Sequence, residues 1–121
     1  QNTADMITIL KRLNNSWDTI SFETKFLNCD RVMKRLGQFS LVVVDRADGC
    51  SNKERIKLSI LVELISKTYK LYKEMMSYRD FKKYAEVLFI IETARKKVLT
   101  RPEKIRKEEG TFQESQNNKK A

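Results

Sequence analysis

The chain has 121 residues, 40% hydrophobic and 34% charged, with 25 Lys+Arg against 16 Asp+Glu for a formal charge of +9. It contains no histidine, three glycines and one proline. That composition leaves out histidine-based proton transfer and most catalytic zinc sites, and it offers too little glycine for a phosphate-cradling loop.

Apolar residues at three- and four-residue steps predict a first helix over residues 4–15, with Met6, Leu10, Leu13 and Trp17 on one stripe. Asn14-Asn15-Ser16 weakens helix and favours a turn. Trp17-Asp18-Thr19-Ile20 then reads as a connecting loop carrying two large apolar side chains. A second helix is predicted over 22–39, its stripe formed by Phe22, Phe26, Cys29, Met33, Leu36 and Phe39, with Gly37 weakening the last turn. Leu41-Val42-Val43-Val44 is β-branched and open to three readings: a short strand, a packed connector or a helix start. Asp48-Gly49 carries turn chemistry.

Ser51-Asn52-Lys53-Glu54 has the spacing of a capping box and opens the longest predicted helix, 52–76. Ile56, Ile60, Leu64, Leu71 and Met75 form one stripe there, widened by Leu61, Ile65, Tyr69, Tyr72 and Met76, so this helix is expected to meet two neighbours. After a break at Ser77-Tyr78-Arg79-Asp80, a last helix is predicted over 81–99 with Tyr84, Leu88, Ile91, Arg95 and Val98 on one side. The fold class is therefore all-α: four to five helices over residues 1–101, followed by a disordered basic polar tail at 102–121. No stretch reaches the length of an apolar membrane span, so no membrane partner is expected.

No residue set points to catalysis, a cofactor or a metal. Cys29 lies on an apolar stripe with no histidine to activate it, and the carboxylates are scattered among lysines at helical spacing. The expectation is a protein that is not an enzyme. Its charge favours acidic partners. Arg31, Lys34 and Arg35 share one helix, and Lys82, Lys83, Arg95, Lys96 and Lys97 crowd another, a pattern that also suits non-specific contact with nucleic-acid phosphates. Trp17, Ile20 and Phe81 fall on interhelical loops, where large apolar side chains either plug the core or anchor a partner.

Asn15-Ser16-Trp17, then Leu27-Asn28-Cys29-Asp30-Arg31-Val32-Met33 with Leu36, Phe39 and Val44, resemble the first turn and second helix of a known domain. It is the integrase-binding domain of the lens epithelium-derived growth factor family of chromatin adaptors, related in fold to the N-terminal helical domain of transcription elongation factors. Tyr78-Arg79-Asp80-Phe81-Lys82 and the striped helix after it are similar to that domain's second loop and closing helix. The resemblance implies two adjacent loops that accept disordered segments carrying aromatic beside acidic residues. Trp17, Asp18 and Ile20 would form the first loop, and Phe81 and Lys82 the second. The chain departs from the pattern in a longer 45–77 stretch and in Lys83, where an apolar residue is expected.

Three functions follow. The leading one is a nuclear interaction module for acidic/aromatic segments of transcription or chromatin partners. The second is a secreted helical ligand, with a Cys29–Cys50 bridge, a glycan at Asn14 and a leader removed before Gln1. The third is a helical nucleic-acid-binding domain.

Overall fold

A computed structural model of the chain describes residues 2–99. They form α1 (Thr3–Asn15), a 3₁₀ turn (Trp17–Thr19), α2 (Phe22–Ala47), α3 (Asn52–Lys73), α4 (Tyr78–Lys82) and α5 (Ala85–Leu99), with no strand among the described residues. The all-α architecture is as expected. The tail assigned to 102–121 lies outside the described residues.

Four of these helices begin on a polar cap. Asn2, Ser21, Ser51 and Ser77 accept from the backbone amides of Asp5, Thr24, Glu54 and Asp80, satisfying donors that a first turn leaves open. At Ser51 only half of the expected capping box forms. Glu54 turns its carboxylate away from the cap and accepts from the Thr3 hydroxyl at 2.8 Å, so it ties α1 to α3 instead.

The second helix does not stop near Phe39. It runs on through Leu41–Val44 to Ala47, which excludes the strand and connector readings. Each valine costs a few tenths of a kcal/mol of helix propensity. Burying Val43 and Ala47 on the stripe already built by Met33, Leu36 and Phe39 more than offsets that. Gly37 does not break the helix. A Cβ there would meet Val87 of α5 at 3.5 Å, an ordinary van der Waals contact. The helix ends at Ala47, and two residues on the chain turns through Gly49, whose φ of 72° is a conformation few other residues adopt without strain.

α3 is the common partner. It packs along α1, α2 and α5, and α2 also packs along α5. Thr3–Glu54 and the Asn14 amide donating to the Thr68 hydroxyl at 2.7 Å set α1 parallel to α3. Arg55 reaching the Ala47 carbonyl, with Cys29 beside the Tyr72 carbonyl, sets α2 antiparallel to α3. Tyr84–Asp30 and Lys97–Asp48 set α5 parallel to α2. The core lies between, around Met6, Leu10, Met33, Leu36, Leu61 and Ile65. Truncating one of its leucines to alanine costs about 2–5 kcal/mol.

Two expected stripes shift. On α3 the buried line is Leu58, Leu61, Val62, Ile65, Tyr69 and Tyr72, while Ile56 and Ile60, placed on the main stripe by spacing, are exposed. On α2 the stripe is buried only from Cys29 onward.

The Cys29–Cys50 bridge is excluded within one chain. Cys29 lies near the C-terminal end of α3, while Cys50 follows the far end of α2, and both are free thiols. The intervening helix alone spans about 27 Å at 1.5 Å per residue, whereas a disulfide needs Cα atoms within about 7 Å.

Two measurements check this account. In denaturant titration, Gly37→Ala is expected to raise stability by up to about 1 kcal/mol through helix propensity, and Gly49→Ala to lower it by about 1–2 kcal/mol through its positive φ. In thiol titration, half-buried Cys50 reacts in the native protein. Cys29, whose thiol pKa is raised by burial and then by Asp30 and Asp80, reacts only on unfolding.

Candidate protein-docking site

The last turns of α3 carry Tyr69 and Tyr72, one turn apart and both buried. Trp17 meets Tyr72 edge-on, with ring centroids 4.9 Å apart at 73°. Phe81 lies against Tyr69 at 6.3 Å. Trp17 stands in the 3₁₀ turn, and Phe81 lies on α4 rather than on a loop or at the start of one helix over 81–99, since α5 begins only at Ala85. The two connections gather at the same end of the bundle, each on its own tyrosine. Both anchors are half-buried and packed on the core. Ile20 is half-buried as well, and Asp18 and Lys82 are exposed.

Three of the aromatics at this end carry a cation. Lys25 Nζ stands 4.1 Å from the Trp17 ring centroid, Lys73 Nζ 5.1 Å from Phe81 and Lys82 Nζ 5.0 Å from Tyr78. Such contacts hold the ammonium groups over aromatic surface while leaving them able to meet an anion.

Sequence spacing missed one part of the site. Phe22, Phe26 and Leu27 are 68%, 56% and 79% exposed, and the two phenylalanines stack at 6.2 Å with their planes 17° apart. They open the same stripe that is buried from Cys29 onward. The cause is length. α2 has 26 residues and α3 has 22, and Cys29 already lies level with Tyr72 at the end of α3. The first two turns of α2 therefore project beyond the bundle. Nothing in the spacing separates a stripe that is covered from one that overhangs.

The Phe81 loop is held in place from α2. The Tyr84 hydroxyl donates to Asp30, and the Tyr84 amide donates to the Phe81 carbonyl at 2.9 Å. Asp30 is held below its ordinary carboxylate pKa, first by the Tyr84 hydroxyl and then by Lys34 at 3.1 Å. Tyr84 is pushed well above the usual phenol range by burial and then by that same bond.

The basic residues do not form one face. Lys34 pairs with Asp30, Lys83 with Asp80 at 3.9 Å, Arg95 with Glu63 at 3.4 Å and Lys97 with Asp48 at 2.8 Å. Arg95 reaches toward α3 and Lys97 toward the end of α2, on either side of α5's buried line, and Lys96 is exposed. Arg31 and Arg35 stand one turn apart on α2 beside the Asp30–Lys34 pair and belong to none of these four pairs. Among the described residues no group of three or more cysteine, aspartate or glutamate side chains is placed to hold a metal ion, and no helix is long and apolar enough to cross a membrane. Comparison with protein-family models, with curated proteins and with solved structures finds no match.

The Tyr84–Asp30 bond gives a pH signature. A depressed carboxylate contributes stability that is present above its unfolded pKa and lost as the pH falls through its lowered folded value. Tyr84→Phe is therefore expected to be less stable than wild type at neutral pH, with the gap narrowing as the pH drops below about 4. Denaturant midpoints across that range test it, and a gap independent of pH would show that the bond is not the source.

Proposed function

We infer that the protein is a non-enzymatic interaction module whose aromatic end docks short disordered segments carrying aromatic beside acidic residues. One observation carries this reading. Half-buried Trp17, Ile20 and Phe81 and the exposed Phe22/Phe26 stack share one end of the bundle, with Lys25, Lys73 and Lys82 seated over aromatic rings there. Exposed apolar surface of this kind, rimmed by polar groups, is typical of partner recognition. A partner's aromatic ring would lodge against Phe81 and Ile20 while its carboxylates meet the lysines. Asp18 stands ready to accept from the segment's backbone amides.

The resemblance to chromatin adaptors makes transcription or chromatin proteins the partner class and the nucleus the working compartment. The positive field speeds encounter with acidic segments. The secreted-ligand reading loses its bridge. The nucleic-acid reading has four of its basic residues, Lys34, Lys83, Arg95 and Lys97, held in ion pairs on several faces.

Phe81→Ala is expected to weaken binding of an acidic peptide bearing one phenylalanine by about 2 kcal/mol, roughly thirtyfold, as for a central aromatic anchor. Lys82→Ala, a rim change, is expected to cost under about 1 kcal/mol. Fluorescence anisotropy at fixed salt measures both, with a thermal melt to confirm that each variant folds. If Phe81→Ala binds like wild type, the docking site lies elsewhere.

A further inference from the structure

α1 leans on α3 and leaves a slot of about 380 Å³ against α2, on a different side of the bundle from the groove between α3 and α5. Beneath it lies the core, with Leu10, Leu36 and Tyr72 each at most 1% exposed, and the apolar floor it offers comes from half-buried Ile9 and Leu13 beside Val32. Three arginines stand around it, Arg12 from α1 and Arg31 and Arg35 from α2, all exposed, and no acidic residue lines it. None of the three has a carboxylate within ion-pairing distance among the described residues. Arg31 is steadied by the Asn28 side chain, which accepts from its guanidinium at 3.0 Å. The groove between α3 and α5 is different in kind, because Glu63 and Glu92 stand among its lysines and Arg95 is already paired.

We propose that the α1/α2 slot docks a short acidic segment of a partner protein, taking one bulky apolar side chain onto Ile9, Leu13 and Val32 and that segment's carboxylates onto Arg12, Arg31 and Arg35. The argument is charge complementarity around an apolar floor. Three like charges held near one another raise the energy of the free protein, and carboxylates relieve that repulsion while accepting from planar guanidinium forks in pairs. The volume is at the small end of ligand pockets, enough for one aromatic or aliphatic anchor. A phosphate backbone would use the arginines but leave the apolar floor empty, which favours a peptide over nucleic acid. The slot stands independently of the aromatic end. Tyr72 joins them, with the Trp17 ring against it.

The test uses a labelled peptide with a single phenylalanine flanked by Asp and Glu, and a control with Asn and Gln in their place. Anisotropy at low salt is expected to show binding of the acidic peptide alone. The double variant Arg31→Glu/Arg35→Glu should weaken it at least roughly tenfold. Lys53→Glu/Lys57→Glu, the same charge change on exposed residues that do not line the slot, should weaken it far less. NMR shifts on titration should include Ile9, Leu13 and Val32. The slot is overturned if the peptide does not bind, or if the two double variants weaken it equally. It is also overturned if shifts stay at Phe22, Phe26 and Phe81, a result that keeps the aromatic end and removes the slot. A DNA duplex that displaces the peptide with the same arginine dependence would overturn it in favour of phosphate binding. Conversely, arginine-dependent binding untouched by Phe81→Ala keeps the slot and removes the aromatic end.

Discussion

α3 has to satisfy three neighbours at once, and most of the structure follows from that. Its buried residues, Leu58, Leu61, Val62, Ile65, Thr68, Tyr69 and Tyr72, wrap a wide arc, and α1, α2 and α5 each take a share of it. A helix so widely buried has little room for polar atoms. Thr68, fully buried, donates to the Leu64 carbonyl and accepts from the Asn14 amide, so its hydroxyl is satisfied without water. That bond also fixes how far α1 slides along α3. With α1 held there and α2 packed on another side of α3, the space between α1 and α2 is left over, and the core lies beneath the floor of the slot.

The same helix decides where recognition surface can exist. α3 stops at Lys73 while α2 begins further out, so the stripe on α2 has no partner for its first two turns. The loops that close this end are short, a 3₁₀ turn and a five-residue helix. Neither can cover Phe22 and Phe26. They instead pin Trp17 and Phe81 on Tyr72 and Tyr69, and the Tyr84–Asp30 bond fastens the second loop to α2. Binding surfaces are commonly carried by such low-stability segments on a rigid scaffold. On the proposed reading, the scaffold here is the buried tyrosine pair.

Much of this was legible in the residues, and the failures have a common cause. Caps and breaks read well, because they depend on local chemistry. Ser51, Ser77 and Asp48-Gly49 mark the boundaries that form. The errors arose where a distant partner decided the outcome. Leu41–Val44 is poor helix material by itself, yet it is helical because Val43 and Ala47 have a core to enter. Glu54 has the spacing of a cap, yet Thr3, fifty-one residues away, takes its carboxylate. Ile56 and Phe22 have the rhythm of buried residues, yet no helix lies over them. Trp17 and Phe81 could be placed at the connections between long helices from sequence. Their meeting at one end depends on Tyr69 and Tyr72 standing on a single face of α3, which no spacing between the connections encodes.

An exposed phenylalanine stack is a liability as well as a proposed site, since two copies could bury it against each other. The +9 charge bears on that directly. Every approach of one copy to another brings cations together, and at this end Lys25, Lys73 and Lys82 are held against aromatic rings, so the repulsion is concentrated where the apolar surface is. An acidic segment meets the opposite field and is drawn to the same place. On the proposed reading, charge sorts partners before the aromatics act: it keeps like surfaces apart and leaves burial of Phe22, Phe26 and Phe81 to a chain of opposite sign. Added salt shortens the reach of both effects together. Self-association and loss of acidic partners should accordingly appear over the same range of ionic strength, since one screened field underlies both.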